Sequence, residues 1–390
     1  MADEYLSNLP VELLHHIFNY CDSKTIFLNI GSVCKRLRTV VYQYNQIELE
    51  FSWISASIVR RTLRYISRHA VKSLILSLRY PSATKNELRS YMSDILQFDQ
   101  LRNLSLRNLR DEYLQLFLES LNYTQLTTLE IIIEDKPTVK TLSLLASMTK
   151  KFNNLQKFSL TSLKHKIEDI ALLGQCNITH LTIDKCLYSE YLAVLYHVSS
   201  LKTLQLNDVI MNVDNSSPIS QLTCLIIQDC CLSTEHLKLL ISKTNALRHL
   251  KLTFRTPKKF ESLGDIYDWE NFFRTELNFL HRFEFFISYE LPSNDMIYFE
   301  SFLIPFQEPF WLTEKRWFVV CEYNARNNYL RYNNPPLIFI YTMPNIYGAY
   351  HDDIVRVRYG ILFKRDNYYI TEYSRGQLKN TTACDVSSHT

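Results

Sequence analysis

Cys224 and His249 are the two residues of this 390-residue chain whose types and positions come nearest to a reactive pair. Each is the third residue of a short apolar segment, "LTCLII" from Leu222 and "LRHLKL" from Leu247. If those segments are neighbouring parallel strands, the two α-carbons lie about 5 Å apart, within reach of a Cys–His nucleophilic pair. Adjacent strands supply Gln228, Lys251 and Arg282, with no obvious carboxylate to orient the imidazole. An open sheet also offers no helix N-terminus as an oxyanion hole. Catalysis is therefore not expected there. His180 and His249 would stand three strands apart, about 14 Å, too far for one metal ion. His351, Asp352 and Asp353 have ligand chemistry but read as a short polar turn. The nine cysteines are irregularly spaced without a C-x-x-C, and there is no Walker loop, G-x-S-x-G or dinucleotide fingerprint. The residues predict no catalytic group, no metal site and no cofactor.

The segments holding Cys224 and His249 belong to a series. The pattern L-x-x-L-x-L begins at Val71, Leu101, Leu126, Leu155, Ile178, Leu201, Leu222, Leu247 and Leu280, with intervals of 30, 25, 29, 23, 23, 21, 25 and 33 residues. Period-two alternation makes each hexamer a short strand with one apolar face. Stretches such as "STEHLKLLISK", with Leu237, Leu240 and Ile241 at i, i+3 and i+4, read as intervening helices. One strand and one helix cannot cover their own apolar faces, so neighbours must stack. Cys186 and Cys230 each follow the last apolar strand position by three residues. These segments resemble the cysteine-containing subclass of leucine-rich repeats. The resemblance implies an α/β fold, a curved solenoid with parallel strands inside and helices outside.

Positions 4 and 6 of each hexamer then face the core, and positions 3, 5 and 7 line the opposite, concave face. That face mixes charges, hydroxyls and amides. Its candidate target-binding residues are Arg107, Glu130, Ile132, His180, Asp184, Ile226, Lys251 and Phe286. Ile132, Ile226 and Phe286 would be exposed unless covered, which makes them candidate anchors. No basic stripe marks it for nucleic acid, and the formal charge is only +3.

Ahead of the repeats stands "LPVELLHHIFNYCDSKTIFLNIGSVCKRLRTVV". Pro10 is placed like a first-turn proline, with Asn8 as a nearby cap. The first helix presents Leu14, Ile17, Phe18 and Cys21. A second covers about Thr25 to Ile30, and Ser32 caps a third carrying Val33, Leu37, Val40, Val41 and Tyr44. Three helices in about 40 residues barely make a self-supporting core. Leu9, Pro10, Glu12, Leu13, Ile17 and Phe18, then Val33, Cys34, Lys35 and Leu37, resemble the two halves of an F-box. Leu37 stands where many F-boxes carry Trp. The resemblance implies docking on a Skp-type adaptor and, through it, a cullin–RING ubiquitin ligase. Its adaptor-facing residues would be Leu9, Pro10, Leu13, Ile17, Phe18, Val33, Cys34 and Leu37.

The predicted organisation is an F-box at 1–47, a helical linker and N-terminal cap at 48–70 and leucine-rich repeats at 71–288. Degenerate last repeats with a C-terminal cap follow at 289–373, then a polar, disordered tail at 374–390. Trp311, Trp317 and Phe318 read as core. A 46% apolar and 21% charged composition describes a folded chain. No stretch has the apolar length of a membrane span, and "MADEYLSNLP" is not a secretory signal, which points to the cytoplasm or nucleus. The functional expectation is a non-catalytic substrate-recognition subunit of an SCF-type ubiquitin ligase. The alternative is a ligase-independent interaction scaffold. Neither involves nucleic acid or membrane.

Overall fold

A computed structural model of the chain describes residues 6, 8–22, 25–44, 47–52, 66, 69–77, 98–121, 125–134, 137–162, 177–212, 221–254, 266–290, 303–325, 337–342, 355–364, 367–374 and 377–379. The chain divides into two compact units, residues 1–184 with 197–201, and residues 185–196 with 202–390.

The first unit opens with a helical module. It comprises α1 (Val11–Phe18), a π-helical turn (Thr25–Ile30), a single α-turn (Gly31–Val33) and α2 (Lys35–Gln43). Leu14, Phe18, Ile26, Leu37, Val40, Val41 and Tyr44 are its buried hydrophobic residues. The chain then enters β1 (Ile47–Ser52), which pairs parallel with β2 (Val71–Ser77). The segment 48–70, predicted as a helical linker, thus begins as a strand. Its first residues alternate: Ile47 and Leu49 are buried, and Glu48 and Glu50 are exposed. That is the period of a half-buried strand, not of a helix. Ile58 and Leu63, on the apolar face of the expected helix, lie outside the described residues.

β3 (Asn103–Leu109), α3 (Asp111–Ser120), β4 (Thr128–Ile133), α4 (Val139–Lys151), β5 (Lys157–Ser162) and β6 (His180–Leu187) follow. From β2 to β6 each strand pairs parallel with the next, and the register is constant. Leu74, Leu104, Leu129, Phe158 and Leu181 stand opposite one another, none more than 2% exposed. Each such side chain stabilises the fold by roughly 1.5–3 kcal/mol. The register slips once, at Asn108, whose φ of 57° is left-handed, a conformation asparagine tolerates. Its Nδ2 donates to Ser77 Oγ at 3.0 Å. The helices are tied by Asp111, whose carboxylate accepts from Thr138 N at 3.1 Å and Thr141 Oγ1 at 2.6 Å.

In the second unit, α5 (Tyr188–His197) precedes β7 (Thr203–Ile210), β8 (Cys224–Ile227), α6 (Thr234–Ser242), β9 (His249–Phe254), α7 (Ile266–Glu276) and β10 (Arg282–Glu290). β7 to β10 pair parallel in the same constant register. α6 is capped by Ser233 and buries Leu237, Leu240 and Ile241, as its spacing predicts. Cys186 and Cys230 are buried at the strand exits.

Beyond β10 the parallel pattern ends. β11 (Val319–Ala325) and β12 (Leu337–Thr342) are antiparallel to each other, and β12 pairs antiparallel with β10. β13 (Val355–Lys364), β14 (Asn367–Ser374) and β15 (Gln377–Lys379) continue antiparallel from β11. The described strands between 289 and 373 are therefore antiparallel and do not continue the parallel repeat as degenerate last repeats would, and 377–379 in the expected tail form a strand. A parallel return needs a crossover of about a dozen residues or more, whereas two residues suffice for a hairpin. Two is what separates β13 from β14 and β14 from β15. Trp311 and Trp317 are core, 1% and 5% exposed, packed with Phe273 and Phe283.

Candidate functional site

The helical module is braced by hydrogen bonds that decide which side chains it can offer. Pro10 is the residue that caps α1, with φ −53° and ψ 148°, and its carbonyl accepts from Leu14 N at 3.1 Å. The helix thus starts one residue later than the sequence predicts, and no side chain caps it. At α2 the cap is Cys34, not Ser32. Cys34 is extended, with φ −152° and ψ 165°, and its Sγ accepts from Leu37 N at 3.4 Å. Ser32 still lies in the preceding turn and donates to Asn29 O at 2.8 Å. Arg36 Nη2 donates to Leu9 O at 2.9 Å and Arg38 Nε to Gly31 O at 3.1 Å. Tyr44 donates to Asn19 Oδ1 at 2.7 Å, and its ring meets Phe18 edge-on with centroids 5.4 Å apart.

This framework sorts the eight residues expected to face an adaptor. Phe18 and Leu37 are 1% and 0% exposed, so they hold the module's own core and are not surface. The cause is the 3.6-residue turn: Leu14 and Phe18 share one face of α1, and Pro10, Leu13 and Ile17 fall on the adjoining one. Leu13 is 51% exposed, Pro10 is exposed, and Ile17 and Leu9 are half-buried. Val33 is 49% exposed, and Cys34 is half-buried with its sulfur engaged as a cap. Tyr20 and Tyr42, 81% and 44% exposed, belong to the same module and lie outside the F-box pattern that the sequence reading used. Of ten large apolar residues exposed among the described ones, these four, Leu13, Tyr20, Val33 and Tyr42, lie in the module. Its small core leaves apolar surface unburied, and that surface is a candidate interface.

The sheet faces offer less than the alternation suggests. In the first unit, Arg107 Nη2 lies 3.0 Å from Glu130 Oε2, and its Nε donates to Ser105 Oγ at 2.9 Å. Ser105 in turn donates to Glu130, so these two expected contact residues bond each other. Ile132, His180 and Asp184 are half-buried, and His180 Nδ1 lies 2.9 Å from Thr179 Oγ1.

In the second unit Ile226 is half-buried, and Phe286 stacks on Phe339 and Tyr341 of β12, with centroids 5.6 and 6.2 Å apart. Phe286 is covered by a strand whose pairing with β10 the repeat pattern does not encode. Lys251 Nζ lies 3.3 Å from Glu284 Oε2, and Arg282 Nε also binds that carboxylate. Burial alone would raise the Glu284 carboxyl, but Lys251, Arg282 and His249 outweigh it and hold it below the ordinary range.

Glu284 is also the carboxylate that the sequence reading does not find beside Cys224 and His249. His249 Nε2 lies 3.1 Å from Glu284 Oε1, and its Nδ1 lies 3.4 Å from Cys224 Sγ. In register His249 stands opposite Arg282, and Glu284, two residues on, reaches it diagonally. Such diagonal neighbours, ~7–8 Å apart at Cα, are within reach of long side chains. Counting only register partners misses them.

Residues 6–45 match the family model of the F-box domain. The match ends before the repeated strands begin. No curated protein matches the chain. F-box domains bind Skp-type adaptors of cullin–RING ligases. Among the described residues no helix is long and apolar enough to cross a membrane, and no three metal-ligating side chains gather.

Proposed function

We propose that the chain is a substrate-recognition subunit of an SCF-type cullin–RING ubiquitin ligase. The observation that carries this reading is the F-box match over residues 6–45, with apolar side chains left exposed on that module. Pro10, Leu13, Ile17 and Val33 would bury against the adaptor, with Leu9 at their edge. Phe18, Leu37 and the Cys34 cap hold the shape that presents them. The parallel strands are leucine-rich repeats, and each unit has its own half-exposed face as a surface for a target protein, with Ile132, His180 and Asp184 on the first and Ile226 on the second. Ubiquitin transfer belongs to the partner subunits, and the chain contributes no catalytic step to it.

The test is direct. Purified full chain and a purified Skp-type adaptor, mixed at micromolar concentration, should co-elute as a complex on a sizing column. A folded chain that elutes alone, while a reference F-box protein captures the same adaptor, overturns the ligase reading and leaves an interaction scaffold.

A further inference from the structure

Thr203, Cys224 and His249 share one register position on β7, β8 and β9, and Glu284 of β10 reaches His249 diagonally from two residues beyond its register partner. Nothing in the ligase reading uses this arrangement. An ionised carboxylate can only accept hydrogen bonds, so the proton of His249 sits on Nε2, facing Glu284 Oε1 at 3.1 Å. Nδ1 is then left with its lone pair towards Cys224 Sγ at 3.4 Å, and the thiol donates to it. Glu284 is fixed in turn by Lys251 and Arg282, with its side chain only 4% exposed. Cys224 is half-buried, whereas Cys186, Cys230 and Cys321 are buried.

We infer that Cys224 is a nucleophilic thiol that adds to soft carbon electrophiles of the α,β-unsaturated carbonyl class, with His249 as its general base. Glu284 is a positioning residue that sets the tautomer of His249. In the addition, the Cys224 Sγ–C bond forms at the β-carbon as the C=C π pair moves to give an enolate. The thiol proton passes to His249 Nδ1, and the imidazolium returns a proton to the α-carbon. No group leaves and no oxidant is needed. Addition suits the site better than acyl transfer does. The backbone N–H groups of Thr223 and Cys224 both already donate to Lys202 O, at 2.9 Å each, so they are not free to bind an oxyanion.

Burial raises the Cys224 thiol, against a hydrogen bond from Thr203, and burial lowers His249 in spite of Glu284. The resting pair is thus neutral, S–H···N, and the base acts during attack. This predicts an unusual pH profile. The addition rate should rise with an inflection below the ordinary histidine value of 6.5, not at the thiol's own ionisation above 9.0.

The experiment treats the full chain with limiting N-ethylmaleimide from pH 5 to 9 and follows each cysteine by mass spectrometry. Cys231, which is exposed, serves as the internal reference. Cys224 should react at least tenfold faster than Cys231 at pH 7. His249→Gln should slow Cys224 by about tenfold or more, as general-base assistance of ~10²-fold allows, and move the inflection up to the thiol range. Glu284→Gln keeps the base but removes the charge that works to raise His249, so the inflection should move further down, with Cys224 still present and folded. Cys224 reacting no faster than Cys231, or a rate and inflection unchanged in His249→Gln, overturns the proposal. If either variant melts well below wild type, the wild-type rate ratio and inflection decide alone. No part of this outcome depends on adaptor binding.

Discussion

Replacing both Leu13 and Val33 by Ala separates the module's surface from its core. Fully burying a leucine or valine side chain is worth roughly 1.5–3 kcal/mol. The module has already buried about half of each, since Leu13 is 51% and Val33 49% exposed. What an adaptor can still gain is therefore about 1 kcal/mol per residue, or ~2 kcal/mol for the pair. At 1.4 kcal/mol per decade that is roughly a thirtyfold rise in Kd. The stability cost should be of similar size, about 1 kcal/mol per site, because the half of each side chain that the module already buries is lost as well. Leu37→Ala is the opposite case: at 0% exposure it should cost about 2–5 kcal/mol of stability and weaken binding only by unfolding the module. Calorimetric titration of the adaptor into each variant, beside its melting curve, gives both quantities. An unchanged Kd in the folded double variant would refute the assignment of Leu13 and Val33 to the interface. A thirtyfold loss in folded Leu37→Ala would refute the assignment of that side chain to the core.

Three further outcomes follow from individual contacts. Cys34→Ala removes the sulfur that accepts from Leu37 N and should cost about 0.5–1 kcal/mol, while Cys34→Ser should restore it; melting temperatures check both. Asp111→Ala leaves the Thr138 amide and the fully buried Thr141 hydroxyl without that acceptor, and should lower stability by about 1–3 kcal/mol in urea denaturation. Glu284 has a folded-state carboxyl held below its ordinary 4.5, so its contribution is present above that value and is lost as pH falls through the depressed one. The melting difference between wild type and Glu284→Gln should therefore be largest above about pH 5 and shrink steadily on acidification.

The sequence shows the repeated strands plainly because each hexamer states its own period. Leu104, Leu129 and Leu181 are buried by alternation alone, Val71 begins a strand, and every starting point from Leu101 to Leu280 lies two residues before one. The F-box pattern is legible for a similar reason, since its spacing lies within one short segment. What the sequence hides are contacts between elements. Phe18 and Leu37 share the F-box pattern with Leu13 and Val33, and what separates core from surface is which helix face is turned inward, for Phe18 against Tyr44. β1 is missed because Ile47 and Leu49 alternate over just a few residues before a helix-like stretch. The antiparallel strands after β10 carry no repeat, and their pairing depends on which edge is open. Glu284 is visible as a face residue, but its reach to His249 crosses the register and has no signature in either strand.

The same distinction bears on where a target could sit. A face read only from alternation would offer Arg107, Glu130, Lys251 and Phe286 as free contacts. In the folded chain Arg107 and Glu130 satisfy each other, Lys251 is engaged by Glu284, and Phe286 is stacked under β12 aromatics. Burying such prepaired charges in an interface costs desolvation without a new partner, so they shape and orient more than they attract. The half-buried apolar residues Ile132 and Ile226 carry no such cost. A target that binds these faces would therefore gain affinity from apolar side chains placed over Ile132 or Ile226, with the ion pairs setting register around them. Substituting either isoleucine by Asp should then weaken target capture more than removing the charge of Lys251, and the reverse order would place the contact elsewhere.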